Sequence, residues 1–258
     1  MSPSRANMPA LPPIVVIGPG RVGTAISTAA TVAGLDVNLV DRRELPAACA
    51  GAEVVLLCVP DGEIETAAAN VVAASGRLRL LGHTSGATGL DVLAAAPGAF
   101  SLHPLQTVPD GGASLVGAPA AIEGSTAEAV ALARDLAVAL GMRPFEVPAG
   151  SRAAYHAAAA MASNFLIALE ESAAALLRDA GLDDSHDARE LLAPLVLRTA
   201  ANWAEQGAAA LTGPIARGDE ETVARHLEAI AETAPELEPL YRELAARTRA
   251  IAAEGARA

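Results

Sequence analysis

Polar residues with the side chains that proton transfer and anion binding need follow several apolar segments of this chain. Asp61 follows one, His83 and Ser85 another, and His103 and Gln106 a third. Parallel strands end at one edge of a sheet, where ligands of such sheets bind, so we expect these side chains to converge on one crevice. His83, His103 and Gln106 are candidates for binding a substrate, and Ser85 for orienting its carbonyl or hydroxyl group. The alternative for each histidine is a hydrogen-bonding role within the fold.

A second group lies in the segment YHAAAAMASN, which we predict to be helical. His156 and Asn164 are eight residues apart, about two helical turns, with Ala160 between them. They would occupy neighbouring parts of one face, and the small side chain would leave room for a substrate. A buried polar group without a partner costs about 1–3 kcal/mol, so His156 and Asn164 must find partners if they are buried in this apolar helix. We interpret them as an active-site pair whose partner is the substrate. A satisfied structural pair is the other interpretation.

Further candidates flank this pair and a later glycine-rich loop. Ser163 precedes Asn164, and the loop LTGPIARGD contains Thr212 and Arg217. The Arg217 guanidinium could pair with a substrate carboxylate, although an ordinary surface arginine is as good an interpretation. No spacing of His, Cys, Asp or Glu is typical of a metal site, so we expect no metal.

The elements that position these side chains begin with a glycine motif. The apolar segment 14–17 runs into Gly18-Pro19-Gly20-Arg21-Val22-Gly23, a G-x-G-x-x-G sequence that opens a predicted helix. In this motif Gly18 permits a tight turn, Gly20 lets the backbone approach a pyrophosphate, and Gly23 lets the helix pack on the strand. Arg21 and Val22 lie in the first helical turn, whose N–H groups point toward the phosphates. The pattern predicts a dinucleotide site, the alternative being an ordinary glycine turn.

Two later strand ends would complete this cofactor site. Asp41-Arg42-Arg43 follows a second strand at 37–40, where the adenosine ribose is expected to bind. Asp41 suits the ribose diol of NAD, whereas the two arginines suit the 2′-phosphate of NADP. We expect NADP, with NAD as the alternative. The third cofactor segment, Val59-Pro60-Asp61, follows a buried strand that begins near residue 53.

The order of elements predicts an α/β fold with a change of architecture. Strands and helices alternate up to residue 147, which builds a doubly wound parallel sheet, the Rossmann architecture. From residue 151 we predict helices alone, at about 151–180, 184–206, 219–233 and 236–254. We therefore expect a dinucleotide-binding Rossmann domain at 1–149 and an all-α domain for substrate and dimerisation at 150–258.

Composition narrows the range of partners. The formal net charge of −12 argues against nucleic acid as a partner, because its phosphates would be repelled. We find no apolar run near the roughly 18 residues that cross a bilayer and no secretory signal pattern, and so expect no membrane and a cytoplasmic location. The chain contains no lysine, which excludes a lysine acid or Schiff base. The alanine-rich helices, the first of them apolar nearly all round, favour a homodimer.

Six segments of the chain carry a resemblance to a known family. They are IVVIGPGRVG, VVLLCVPD, GHTSG, SLHPLQT, YHAAAAMASNFL and LTGPIARGD. In this order they resemble a family with a Rossmann-like domain and a C-terminal domain of unknown function, a branch of the β-hydroxyacid dehydrogenase and ketopantoate reductase group. The resemblance implies a C-terminal domain like that of 6-phosphogluconate dehydrogenases. It also implies an alternative type of ketopantoate reductase that serves pantothenate and coenzyme A synthesis.

The same resemblance assigns roles to the residues of the second domain. Ketopantoate reductases carry Lys-x-x-x-Asn-x-x-x-Asn, and alignment on Asn164 places His156 at the lysine and Ala160 at the first asparagine. His156 would then donate a proton while NAD(P)H delivers hydride to a small 2-oxo acid. Asn164 and Ser85 would orient the substrate, and Arg217 or His103 would pair with its carboxylate. The alternatives are reduction of a cyclic imine, as in pyrroline-5-carboxylate reductases, and a non-catalytic NADP-binding sensor or scaffold.

Overall fold

The computed structural model describes residues 11–148, 150–181 and 187–255. The chain divides into two compact units, residues 1–161 and 162–258. The boundary expected from the sequence, between residues 149 and 150, falls before the last helix of the first unit. Residue 149 itself lies outside the described residues, and the division into functional domains stays a prediction.

A seven-stranded sheet forms the centre of the first unit, in the order β2-β1-β3-β4-β5-β6-β7. Strands β1 to β5 run parallel to one another, β6 runs antiparallel to β5, and β7 is parallel to β6. The all-parallel sheet expected from the sequence is therefore mixed at one edge, where β6 reverses direction. The strands are β1 (Ile14–Ile17), β2 (Val37–Val40), β3 (Val54–Leu57), β4 (Leu80–His83), β5 (Ala99–Pro104), β6 (Pro119–Gly124) and β7 (Arg143–Glu146).

Helices cover both faces of the central strands, as the near-continuous apolar strands predict. Alternate residues of β1 belong to different cores: Ile14 and Val16 pack with the cluster that contains Phe100, and Val15 and Ile17 with the cluster that contains Leu81. The helices of this unit are α1 (Arg21–Ala33), α2 (Leu45–Cys49), α3 (Ile64–Ala74), α4 (Ala127–Ala139) and α5 (Arg152–Ala162). This confirms the Rossmann-like fold, in which β1 pairs with β2 on one side and with β3 on the other. The carboxyl ends of β1 and β3 face a common crevice.

The described part of the second unit is helical, as expected. Its helices are α6 (Asn164–Asp179), α7 (Ala188–Gln206), α8 (Pro214–Arg217), α9 (Glu220–Thr233) and α10 (Glu238–Gly255). The single helix predicted over 151–180 is instead two helices, because the chain leaves helical geometry at Ser163. The predicted start of the next helix, residue 184, lies outside the described residues.

The stretch formed by α5 and α6 has an unexpected composition. Residues 152–179 are long enough and apolar enough to cross a membrane, judged by length and composition alone. The sequence predicts no apolar run near the roughly 18 residues that cross a bilayer, and this stretch shows that prediction to be wrong. Few of these residues are buried within the chain, and a stretch of this kind can equally be covered by another protein surface.

Candidate active site

The glycine motif forms a turn that leaves open space at one point. Gly18 has φ +108°, and a Cβ on it would lie 2.4 Å from the Cys58 carbonyl oxygen. A Cβ on Gly23 would lie 2.0 Å from the Gly18 carbonyl oxygen, so both positions require glycine. A Cβ on Gly20 would meet no atom within 4 Å. The turn is thus closed at its base and open where a phosphate would approach.

Helix α1 begins at this open point, and no side chain of the described residues caps its positive end. Its N-cap, Gly20, has no side chain to accept a backbone hydrogen bond, and the first turn contains no carboxylate. The first N–H groups of a helix lack partners within the helix. Together with the helix dipole, they provide an anion site of the kind that holds a pyrophosphate.

A cavity of about 590 Å³ lies at the carboxyl ends of the parallel strands, as the sequence predicted. The expected cofactor residues that line it are Gly20, Arg21, Val22, Val59, Pro60 and Asp61. The residues predicted to bind the substrate or to act in catalysis that line it are Ser85, His103, Gln106 and His156. The first unit therefore gathers side chains from the ends of β1, β3, β4 and β5 and from helix α5 around one space.

His103, near the end of β5, is hydrogen-bonded to a residue without a role in the sequence prediction. Its Nδ1 lies 2.6 Å from the Tyr155 hydroxyl oxygen, and the two rings meet edge to face. Burial, followed by the nearby His156 and Arg152, lowers the pKa of His103 to about 4. His103 is therefore neutral near pH 7 and suited to hydrogen bonding rather than to ion pairing.

His156 differs from His103 in its access to solvent. It is exposed in the chain yet lines the cavity, and its ring centroid lies 6.3 Å from that of His103. Gly86 lies between the two rings: a Cβ there would be 2.7 Å from His156 Nδ1 and 2.9 Å from His103 Nε2. Only a residue without a side chain lets both imidazoles approach this point.

Arg152, at the start of α5, connects this helix to three segments of the sheet domain. The side chain is buried and donates through Nε to a Glu123 carboxylate oxygen at 3.0 Å and through a terminal nitrogen to the Ser85 carbonyl oxygen at 2.9 Å. It also donates to the hydroxyl of Ser101. Because His156 follows one turn later, these bonds fix the part of α5 that faces the cavity.

His83 and Ser85 are engaged within their own loop. His83 is fully buried: its Nδ1 accepts from the Ser85 N–H at 3.2 Å, and its Nε2 lies 3.2 Å from the Gly89 carbonyl oxygen. Burial lowers the pKa of His83 to about 4. The Ser85 hydroxyl accepts from the Thr88 N–H and contacts the Thr88 hydroxyl, both at 2.9 Å. Their predicted substrate contacts stay predictions, and His83 has no uncommitted ring nitrogen to make one.

The expected ribose-binding residues form a small capped turn after β2. The Asp41 carboxylate accepts from the Arg43 N–H at 3.0 Å, and Glu44 accepts from the Asp41 N–H at 3.1 Å. Arg42 pairs with Glu63, which follows β3. The three predicted residues Asp41, Arg42 and Arg43 are all exposed.

Four predicted site residues belong to the second unit. Ser163 is the N-cap of α6, and Asn164 is its first residue and exposed. Thr212 and Arg217 are exposed, at the loop before α8 and at its end. Their roles stay predictions. The two-turn helical spacing assumed between His156 and Asn164 does not hold, because the helix is interrupted at Ser163.

Three residues of the site were not singled out from the sequence. Gly86 lines the cavity, and Tyr155 and Arg152 bind His103 and Ser85, which line it. Tyr155 stands directly before His156 in a chain with only two tyrosines, and that scarcity was a usable signal. Arg152 could have been noticed as a charge at the start of an apolar helix. Gly86 carries no signal beyond its place in a turn. In the described residues, no group of three or more His, Cys, Asp or Glu side chains is placed to hold a metal ion.

Comparison with known proteins places this geometry in context. The family model described as "Domain of unknown function (DUF2520)" matches residues 118–248. The search of curated proteins gave no match. Among solved structures, a candidate NADP oxidoreductase of Bacteroides fragilis is similar, with a TM-score of 0.76 at 23% identity, over 95% of this chain and 99% of that one.

Two enzymes of stated activity share the fold at lower identity. The reductive aminase of Aspergillus terreus, in complex with NADPH and ethyl-5-oxohexanoate, has a TM-score of 0.64 at 19% identity, over 94% of this chain and 98% of that one. The pyrroline-5-carboxylate reductase of Coxiella burnetii has a TM-score of 0.58 at 16% identity, over 93% and 97% respectively. At these identities the likeness shows the fold alone.

Proposed function

Because this chain belongs to the DUF2520 family and has a Rossmann-like sheet with a cavity at its strand ends that His103 and His156 line, we propose that it is an NADP-dependent reductase of a small carbonyl compound. The observation that carries the proposal is the convergence of the glycine turn, His103 and His156 on one cavity of about 590 Å³. A purely structural glycine turn would not need ionisable side chains at the neighbouring strand ends.

The cofactor residues fit a nicotinamide dinucleotide. The space above Gly20 and the free N–H groups of α1 would hold the pyrophosphate, and Arg42 and Arg43 would hold a 2′-phosphate. NADPH, when bound, supplies a hydride. The structures of similar fold include a complex with NADPH, and the two arginines favour NADP over NAD. Asp41 keeps NAD as the alternative, since a carboxylate there suits a free ribose diol.

The protein's part of the reaction is to supply a proton and to hold the substrate. Reduction of a carbonyl leaves an electron pair on its oxygen, which must gain a proton. His156 lines the cavity and is exposed, so it can donate that proton as imidazolium and regain one from solvent. His103, with its pKa lowered to about 4, is neutral and donates a hydrogen bond instead.

The substrate that we propose first is a 2-oxo acid, with ketopantoate as the leading member. This choice derives from the resemblance to ketopantoate reductases. In this scheme Arg217 pairs with the carboxylate, while Asn164 and Ser85 orient the reacting group. The neutral state of His103 removes it as an ion-pair partner for the carboxylate, which leaves that role to Arg217. The reaction would belong to pantothenate synthesis in the cytoplasm.

Imine reduction is the second candidate. It is favoured by the fold shared with the reductive aminase and the pyrroline-5-carboxylate reductase described above. A cyclic imine needs the same hydride and a proton on nitrogen, which His156 could also supply. A third reading, an NADP sensor that turns nothing over, predicts tight NADPH binding and no oxidation with any substrate.

Loss of nicotinamide absorbance tests these candidates side by side. Purified protein with NADPH receives ketopantoate, other small 2-oxo acids, pyrroline-5-carboxylate, or a ketone with a primary amine. We expect NADPH to be oxidised when a 2-oxo acid is present. In His156→Ala the turnover rate should fall by at least about 100-fold, the scale of general acid catalysis. His226→Ala removes an exposed histidine of the second unit and should leave turnover unchanged. Equal turnover in His156→Ala would remove the proton-donor assignment.

A further inference from the structure

Both tyrosines of this chain are hydrogen-bonded to a histidine, but only one of these pairs is at the cavity. Tyr155 contacts His103 at 2.6 Å, and Tyr241 contacts His226 at 2.8 Å in the second unit. Phe145 packs edge to face against Tyr155, with ring centroids 6.0 Å apart, and so restrains the phenol ring. Tyr155 is half-buried, and burial raises its pKa, so its hydroxyl keeps its proton near neutral pH.

The position of the proton on the imidazole determines which of the two groups donates. A phenol has one O–H, and a neutral imidazole has one N–H and one acceptor nitrogen. Within the part of the chain that the structure describes, the Tyr155 hydroxyl contacts no acceptor other than His103 Nδ1. If Tyr155 donates to Nδ1, the proton of the imidazole must be on Nε2.

The Cε1–Nε2 edge of the His103 ring faces Gly86, which lines the cavity. Nε2 and Cε1 are the ring atoms nearest to a Cβ built on Gly86, at 2.9 and 2.8 Å. Both Gly86 and His103 line the cavity, as does His156. No other hydrogen-bond partner of Nε2 is present among residues 11–148 and the described residues that follow.

We propose that Tyr155 is a positioning residue: its hydroxyl holds His103 in the Nε2–H form, so that a neutral N–H donor faces the cavity beside the proton donor His156. The kinetic part of this inference rests on the proposed function. In it, His103 Nε2–H donates a hydrogen bond to the substrate oxygen and keeps its proton throughout. The electron pair that the oxygen gains takes its proton from His156. The two histidines thus have different tasks, set by their different burial.

The assignment makes a direct spectroscopic prediction that needs no substrate. Nitrogen-15 labelled histidine in the full-length protein, read by long-range proton–nitrogen correlation near pH 7, distinguishes a protonated ring nitrogen from an unprotonated one. The five histidines are assigned with single His→Gln variants. We expect His103 to show a protonated Nε2 and an Nδ1 with the shift of a hydrogen-bond acceptor. A protonated Nδ1 in the wild-type protein would overturn the inference.

Tyr155→Phe tests the effect on turnover while keeping the ring that packs on Phe145. We expect kcat to fall about 10-fold, the loss of one hydrogen bond's contribution to the transition state. The Kd for NADPH should stay unchanged, and the acceptor shift of His103 Nδ1 should disappear. Tyr241→Phe is the matched control, since it removes the other Tyr–His bond: the His226 signals should change and kcat should not.

The outcomes separate this inference from the proposed function. Unchanged kcat in Tyr155→Phe, or an equal loss in Tyr241→Phe, contradicts the positioning role. If no carbonyl or imine substrate reacts while His103 shows the expected Nε2–H form, the proposed reaction fails and the assignment of the proton stands. If His103 carries its proton on Nδ1 and ketopantoate is still reduced, the assignment of the proton fails and the proposed function stands.

Discussion

The buried Arg152 guanidinium pairs with the partly exposed Glu123 carboxylate and so joins the start of α5 to strand β6. A terminal nitrogen of Arg152 lies 2.8 Å from a Glu123 carboxylate oxygen, and the Arg152 side chain is only 7% exposed. The same guanidinium donates to the Ser85 carbonyl oxygen and the Ser101 hydroxyl. The helix that carries Tyr155 and His156 is therefore held to the sheet by one cation rather than by apolar packing alone.

Removing this cation should destabilise the first unit strongly. In Arg152→Met the Glu123 carboxylate and the Ser85 carbonyl lose their buried donor, and a buried acceptor left without a partner costs about 1–3 kcal/mol. Urea unfolding measures this loss. Arg134→Met removes an exposed pair with Glu146 and should change the free energy of unfolding by less than about 1 kcal/mol. Similar losses in both variants would contradict the importance of the Arg152 contacts.

Gly20→Ala should weaken cofactor binding without affecting folding. Its φ of −75° suits alanine, and the new methyl group meets no protein atom within 4 Å, but it enters the space where the backbone should approach phosphate. We expect the Kd for NADPH to rise about tenfold, a loss of about 1.4 kcal/mol, with no change in melting temperature. Gly51→Ala also enters open space, away from the cavity-lining residues, and should leave both quantities unchanged. Unaltered NADPH affinity in Gly20→Ala would argue against a pyrophosphate at this turn.

Arg43→Ala should distinguish the two nicotinamide cofactors. Arg42 is paired with Glu63, whereas no ion pair of the Arg43 side chain is seen among the described residues, so Arg43 is the more available cation for a 2′-phosphate. We expect the Kd for NADPH to rise about tenfold and that for NADH to change by less than about twofold. Titration of protein fluorescence with each cofactor gives both values. A parallel loss for NADH would mean that Arg43 acts on a part shared by both cofactors.

The buried histidines should make the protein less stable in mild acid. The pKa values of His83 and His103 are lowered to about 4 in the folded protein, chiefly by burial, against about 6.5 in an unfolded chain. Between these values the unfolded state binds more protons, so stability is present above about pH 6.5 and falls as the pH decreases toward 4. The full loss is on the order of 3 kcal/mol for each histidine.

Urea unfolding at several pH values between 4.5 and 7 checks this, with the slope of stability against pH as the readout. His83→Gln removes one titrating group and should flatten the slope, whatever its effect on stability at pH 7. His226→Gln, at an exposed position, should leave the slope as it is. An unchanged slope in His83→Gln would show that this histidine does not titrate with folding.

We also propose that the apolar surface of α6 and α7 is covered by a second copy of the chain. Phe165 and Ile167 on α6 are 62% exposed, and Leu195 and Leu197 on α7 are 65% and 70% exposed. Large apolar side chains exposed in this number on two helices favour an interaction site. Sedimentation should give a dimer, and Leu197→Glu should shift it toward monomer. Val116→Glu, at a residue 77% exposed in the first unit, should leave the mass unchanged, and a wild-type monomer would contradict the proposal.

The sequence by itself determined the elements whose signals are local. The glycine motif from Gly18 to Gly23, the strands and most of the helices follow from neighbouring residues, because turn geometry and hydrophobic periodicity are properties of short segments. The topology of a parallel sheet then places strand ends together. This is why the sequence predicts Asp61, Ser85, His103 and Gln106 at one cavity, and all four line it.

The tertiary structure alone decided how the polar groups are paired and which of them remain available. Tyr155 reaches His103 across 52 residues of sequence, and Arg152 reaches Glu123 across 29. Such contacts depend on how helix α5 packs on the sheet, which no local pattern encodes. Burial likewise makes His103 neutral, whereas His156 is exposed. The interruption at Ser163 divides a segment whose composition predicted one continuous helix. Solvent access and long-range packing therefore govern the chemistry that each of these residues can perform.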